Sequence, residues 1–126
     1  MKNKIVKTNN APQAIGPYSQ AVISGGFLFS AGQIPLDPHT MKLVEGGIEE
    51  QTKRVLDNLK GILTAEKLDF SSVIKTTIYL IDLNHFKTVN TIYTEHFGEN
   101  KPARSTIQVA KLPMDALIEI EIIASI

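Results

Sequence analysis

The run Ala116-Leu117-Ile118-Glu119-Ile120-Glu121-Ile122-Ile123-Ala124-Ser125 constrains the fold of this chain more than any other segment. Side chains on a strand alternate between faces, so Ile118, Ile120, Ile122 and Ala124 point one way and Leu117, Glu119, Glu121 and Ile123 the other. The first set is wholly apolar and belongs against a layer of helices. The second mixes apolar groups with two carboxylates. A β-branched run from Val73 to Leu83 behaves alike: its alternate set Lys75, Thr77, Tyr79 and Ile81 is also mixed. A face of that composition fits cover by another subunit better than open water. The expectation is a sheet with helices on one face and an oligomer contact on the other.

The remaining elements follow from period and punctuation. Between Ile48 and Leu68, the residues Ile48, Val55, Leu56, Leu59, Ile62 and Leu63 form one helical stripe, with Gly61 as its weak spot. Asn84 to Phe97 is a second helix that turns Phe86, Val89, Ile92, Tyr93 and Phe97 inward and stops at Gly98. Lys4 to Thr8 and Arg104 to Ala110 are strands. Ala21-Val22-Ile23 and Phe27-Leu28-Phe29 form a hairpin around Gly25-Gly26. Asn9–Pro17 is a loop and Gly32–Gly47 a long excursion. The order β-ββ-α-β-α-ββ describes a two-layer α+β protein, read as a single domain over residues 1–126.

Composition removes several functions. Thirteen basic and thirteen acidic residues give a formal net charge of zero, which disfavours binding nucleic acid through a whole-domain basic field. The absence of cysteine removes disulfides, thiolate nucleophiles and cysteine-ligated zinc. No apolar run approaches the roughly 20 residues of a membrane span, and residues 1–6 lack the apolar stretch of a signal peptide. A cytoplasmic protein is expected, with Lys2, Lys4 and Lys7 as a solvated basic tip. His39, His85 and His96 have no metal-ligand spacing, and no Gly-x-Ser-x-Gly, phosphate-binding loop or dinucleotide fingerprint is present. No metal and no cofactor is expected.

Arg104 is the leading candidate for chemistry. Only Arg54 shares its residue type in a chain that otherwise uses lysine. Its planar fork of donors takes a carboxylate bidentately, which lysine does not. It reads either as a surface ion-pair residue or as the receptor of a small carboxylic acid. Glu119 is either a solvated strand carboxylate or, beneath a subunit interface, a general base or water-orienting group. The short link Leu112–Asp115 suggests that the strands bearing Arg104 and Glu119 are neighbours, or that the two residues meet across an interface. Tyr18, after Gly16-Pro17, is a rim aromatic or a pocket wall. Gly32, before Gln33, marks a close ligand approach or a simple bulge.

Four segments in order, Ala14-Ile15-Gly16-Pro17-Tyr18-Ser19-Gln20-Ala21, Ser30-Ala31-Gly32-Gln33-Ile34-Pro35, Pro102-Ala103-Arg104-Ser105-Thr106 and Ile118-Glu119-Ile120-Glu121, resemble the RidA (YjgF) family over essentially the whole chain. The resemblance implies a chorismate-mutase-like α+β sandwich with a six-stranded mixed sheet and two helices on one face. It also implies a homotrimer with a central barrel and clefts between subunits. The implied activity is hydrolysis of the enamines and imines 2-aminoacrylate and 2-aminocrotonate, released by pyridoxal-phosphate dehydratases, to 2-keto acids and ammonia. By position, Arg104 would bind the substrate carboxylate and Glu119 would place the attacking water. Tyr18, Gly32, Gln33, Asn90 and Thr106 would line the substrate. Two departures stand out: Ala31 replaces a serine, and Thr106 a cysteine, found in many members. The alternatives are a 2-keto-acid-binding regulatory protein, a ribonuclease or translation inhibitor, and a deaminase for a different imine.

Overall fold

A computed structural model describes residues 3–126; of the basic tip, Lys2 lies outside them. Six strands form one sheet: β1 (Lys4–Val6), β2 (Ala21–Ser24), β3 (Phe27–Ser30), β4 (Val73–Leu80), β5 (Ala103–Gln108) and β6 (Ile118–Ser125). Helices α1 (Ile48–Ala65) and α2 (Phe86–Phe97) precede β4 and β5 respectively. The sheet order is β1-β2-β3-β6-β4-β5, antiparallel except for the parallel β4–β5 pair. This is the expected α+β class with a mixed six-stranded sheet. Among the described residues no helix is long and apolar enough to cross a membrane.

Local chemistry explains the boundaries. The β2–β3 hairpin turns at Gly25 and Gly26, with φ of 60° and 85°, the left-handed pair that this tight turn needs. Helix α1 opens with the Glu50 carboxylate accepting from the Gly47 N–H at 2.8 Å. Glu49 and Glu50 both lie by the positive end of its dipole. Helix α2 starts two residues later than its pattern suggests. Asp82 accepts from Asn84 N at 2.9 Å and winds Leu83–His85 into a 3₁₀ turn first. Gly61 turns out to be required: a Cβ there would collide with the Asn10 carbonyl, because the loop after β1 crosses α1 at that point.

The two faces of the sheet separate as the alternation predicts. Ile118, Ile120, Ile122 and Ala124 of β6, with Ile78 and Leu80 of β4, are buried against Val55, Leu59, Ile62 and Val89 of the helices. The other face carries Lys75, Thr77, Tyr79, Glu119, Glu121 and Ile123. Strand register adds Ile5, Phe29 and Ile107 to it, and these are 65%, 44% and 45% exposed. Strand β4 ends at Leu80, so Ile81 falls just beyond it.

The expected adjacency of the last two strands does not hold. Strand β4 lies between β5 and β6. Two strand spacings are about 10 Å, and residues 109–117 reach over that gap easily. A short link was a poor guide because a strand from earlier in the chain fills the space between.

Candidate functional site

Arg104 pairs in register with Thr76 of β4 and projects to the helix side of the sheet. There α2 presents Phe86, Asn90 and Tyr93, at i, i+4 and i+7 on one stripe. Arg104 Nη1 donates to Asn90 Oδ1 at 2.9 Å. Its Cζ stands 5.2 Å from the Phe86 ring centre and 4.9 Å from that of Tyr93, within cation–π range of both. Tyr93 is itself fixed. Its hydroxyl meets the buried Thr76 hydroxyl at 2.9 Å, its ring stacks on Phe97 at 4.2 Å, and burial pushes its phenol pKa up.

The ion pairs among the described residues do not include Arg104. Of the two readings of this residue, the surface ion pair therefore fails. The guanidinium is held by a neutral amide and two rings, and most of its donors have no partner among the described residues. It borders a cavity of about 370 Å³ whose wall includes Asn90, Tyr93, Lys101 and Pro102, and no carboxylate. Two residues along the same face, Thr106 Oγ1 is buried with no hydrogen-bond partner among the described residues.

Glu119 lies elsewhere. It pairs in register with Tyr79 on the opposite face of the sheet. Burial pushes its carboxyl above the ordinary range, and the nearby Glu121 charge adds to the effect. Glu121 is already engaged: it accepts from the Tyr79 hydroxyl, and that bond drives the tyrosine pKa up to about 12. Glu119 accepts no hydrogen bond among the described residues, so of the two carboxylates it is the one available.

Gly32 packs against Glu119. A Cβ at this position would collide with the carboxylate, so the glycine makes room for the Glu119 side chain, a neighbour within the chain itself. Gln33 N donates to Ile120 O at 2.8 Å and Ile120 N to Gln33 O at 3.1 Å, which fastens this loop beside Glu119. Tyr18 is 55% exposed, and with Gly32, Gln33 and Gln20 it borders a small cavity of about 70 Å³. Ser30 does not substitute for the missing hydroxyl at Ala31, because its Oγ accepts from Ile122 N at 2.9 Å.

The residues singled out from sequence thus fall into two groups. Arg104, Asn90 and Thr106 gather on β5 and α2. Glu119, Gly32, Gln33 and Tyr18 gather on β6 and the loops beside it. Strand β4 stands between them, and Arg104 and Glu119 occupy opposite faces. Sequence reasoning missed the part played by Phe86 and Tyr93, which it assigned to the apolar core. Their spacing of four and three residues about Asn90 was the available signal.

The two-layer α+β scaffold thus places, at the wall of a cavity, an arginine with no ion-pair partner among the described residues. The endoribonuclease L-PSP family profile matches residues 8–126, and the chain belongs to that family, the YjgF/RidA family. It is similar to Reactive Intermediate Deaminase A, chloroplastic, of Arabidopsis thaliana, at 51% identity over 100% of this chain and 67% of that protein. It is also similar to human 2-iminobutanoate/2-iminopropanoate deaminase, at 48% identity over 96% of this chain and 88% of the human one. Among solved structures, Escherichia coli TdcF with bound serine superposes with a TM-score of 0.92 at 42% identity, covering 98% of both chains.

Proposed function

We propose that the protein is an imine deaminase that converts the imines of 2-aminoacrylate and 2-aminocrotonate to 2-keto acids and ammonia. The observation that carries this reading is Arg104, a rigidly seated guanidinium without a carboxylate partner among the described residues. The names of the human and Arabidopsis relatives and the serine bound to TdcF support it. The human relative's name and the serine point to small molecules related to 2-amino acids, and the Arabidopsis relative's name to deamination.

The reaction needs little more than what these residues supply. The enamine tautomerises to the imine. Arg104 holds the carboxylate through two charge-assisted hydrogen bonds, which brings the C=N carbon to a fixed place. Water adds to that carbon while Glu119 accepts its proton. Glu119 passes the proton to nitrogen, giving the carbinolamine; its hydroxyl proton is then relayed by Glu119 to the amine as the C–N bond breaks, so ammonia leaves and the C=O of the 2-keto acid forms. A carboxyl raised by burial is a better proton acceptor and donor near neutral pH than an ordinary glutamate. Gly32 keeps the backbone close to that carboxylate, Tyr18 closes the wall, and the unpartnered Thr106 hydroxyl faces the Arg104 side of the substrate. No cofactor takes part, since an imine is already electrophilic.

Because Arg104 and Glu119 lie on opposite faces of one sheet, the working site takes Arg104 from one copy and Glu119 from another. The exposed apolar groups opposite the helices favour this arrangement, and a cyclic homotrimer repeats it in each cleft. We place the activity in the cytoplasm.

The test is a coupled assay. A threonine dehydratase generates 2-aminocrotonate, semicarbazide traps the remaining imine, and 2-oxobutanoate is followed beside the trapped product. Wild type diverts imine from the trap and Arg104→Ala does not. If neither protein diverts it while both bind 2-oxobutanoate differently, the site is a keto-acid receptor. A ribonuclease activity that persists in repurified Arg104→Ala would instead support the family's historical description.

A further inference from the structure

Arg104 is held by three side chains of one helix, and two of these contribute no hydrogen bond to it. We infer that Phe86 and Tyr93 are positioning residues for the carboxylate clamp. They form an aromatic cage that fixes the plane of the guanidinium and strips water from it; this rests on the reading that Arg104 holds the substrate carboxylate.

Tyr93 forms the inner wall. Tyr93 is 6% exposed and fixed at both ends, by Phe97 stacked on its ring and by the Thr76 hydroxyl on its own. Phe97 in turn packs against Phe70 at 4.8 Å, so a column of three rings ends at Arg104. Thr76 also sets the register of Arg104, since the two are paired across β4 and β5. One threonine therefore fixes both the ring and the backbone of the cation that rests against it.

The outer wall differs. Phe86 is 36% exposed, lies at the first turn of α2 and is not part of the buried core. An aromatic ring left partly in water at that place gains little from its own burial. Its visible partner is the guanidinium, 5.2 Å away. A cation against rings stays free to take an external anion, because the rings offer only their negative faces and no counter-ion. Asn90 takes one N–H of Nη1 and leaves the other donors directed elsewhere. An acidic residue in place of either ring would fill the clamp with an internal carboxylate. Aromatic groups orient the fork and leave it unoccupied.

This predicts a loss confined to substrate binding. Phe86→Leu keeps an apolar side chain but removes the ring face, and should raise KM and the 2-oxobutanoate Kd about three- to ten-fold. The kcat should be nearly unchanged, because Glu119 and its water are untouched. Phe86→Trp should restore both constants. The melting temperature should be the same in all three proteins, since Phe86 lies outside the core.

The experiment titrates 2-oxobutanoate calorimetrically into wild type, Phe86→Leu, Phe86→Trp and Arg104→Ala, with turnover and melting measured on the same samples. A weakened Phe86→Leu with a restored Phe86→Trp supports the cage. Phe86→Leu binding like wild type while Arg104→Ala does not, or Phe86→Trp as weak as Phe86→Leu, overturns the cage and leaves the clamp standing. If Arg104→Ala binds as tightly as wild type, the clamp itself has failed, and the cage has nothing to position.

Discussion

Arg104 is left without a counter-ion among the described residues because what holds it is neutral: an amide oxygen and two ring faces. A lysine at this position would present a point charge that neither fits the cage nor takes a carboxylate with two parallel bonds. Arg104→Lys should therefore lower kcat/KM about a hundred-fold, the worth of one to two charge-assisted hydrogen bonds, with melting hardly changed. Glu119 gives a test by pH. Its carboxyl is raised in the folded chain, so folding favours its protonated form. That contribution is present in acid and lost as pH rises through the folded pKa. Glu119→Gln does not titrate. Its melting temperature relative to wild type should therefore be higher at pH 7 than at pH 4, while its kcat falls. An equal difference at both pH values would show that burial does not burden the carboxylate. Both residues were legible in the sequence as chemical types: a rare arginine, and a glutamate among isoleucines. What distinguishes Glu119 from Glu121 was not, because only the folded sheet brings Tyr79 to Glu121.

Elements decide where those residues stand. Alternation in β6 and β4 told which face meets the helices, and the structure agrees residue by residue along β6. The same alternation says nothing about strand order. That is why the insertion of β6 between β3 and β4, which leaves β4 between the strands of Arg104 and Glu119, could not be foreseen; the opposite faces of the two residues follow from their register with Thr76 and Tyr79. Helix α2 shows the complementary limit. Its period located an apolar stripe, but period alone cannot tell a ring that packs in the core from one that packs on a cation. Gly32 ties the loop after β3 to Glu119 through bare proximity. Gly32→Ala should push the carboxylate off its position and lower kcat at least about ten-fold, without loss of the Gln33–Ile120 bridge or of the fold. Unchanged turnover in that variant would mean that the carboxylate has room to spare.

At the scale of the whole molecule, the mixed sheet face seen in the sequence became a surface carrying Phe29, Ile107 and Ile5 in the open, together with the carboxylates. Phe29→Asp should disperse the copies towards the 13.9 kDa mass of one chain in sedimentation velocity, and remove turnover with them. Whether the site is shared between copies is tested directly by one measurement. Arg104→Ala and Glu119→Gln, each predicted to turn over poorly alone, are mixed, dissociated and reassembled, and imine hydrolysis is assayed. In a cyclic trimer with sites shared between neighbours, every mixed assembly regains one intact site. Random mixing should thus recover about a quarter of wild-type activity. If the mixture shows no more activity than its two components separately, Arg104 and Glu119 do not act across an interface, and the shared-site account is wrong.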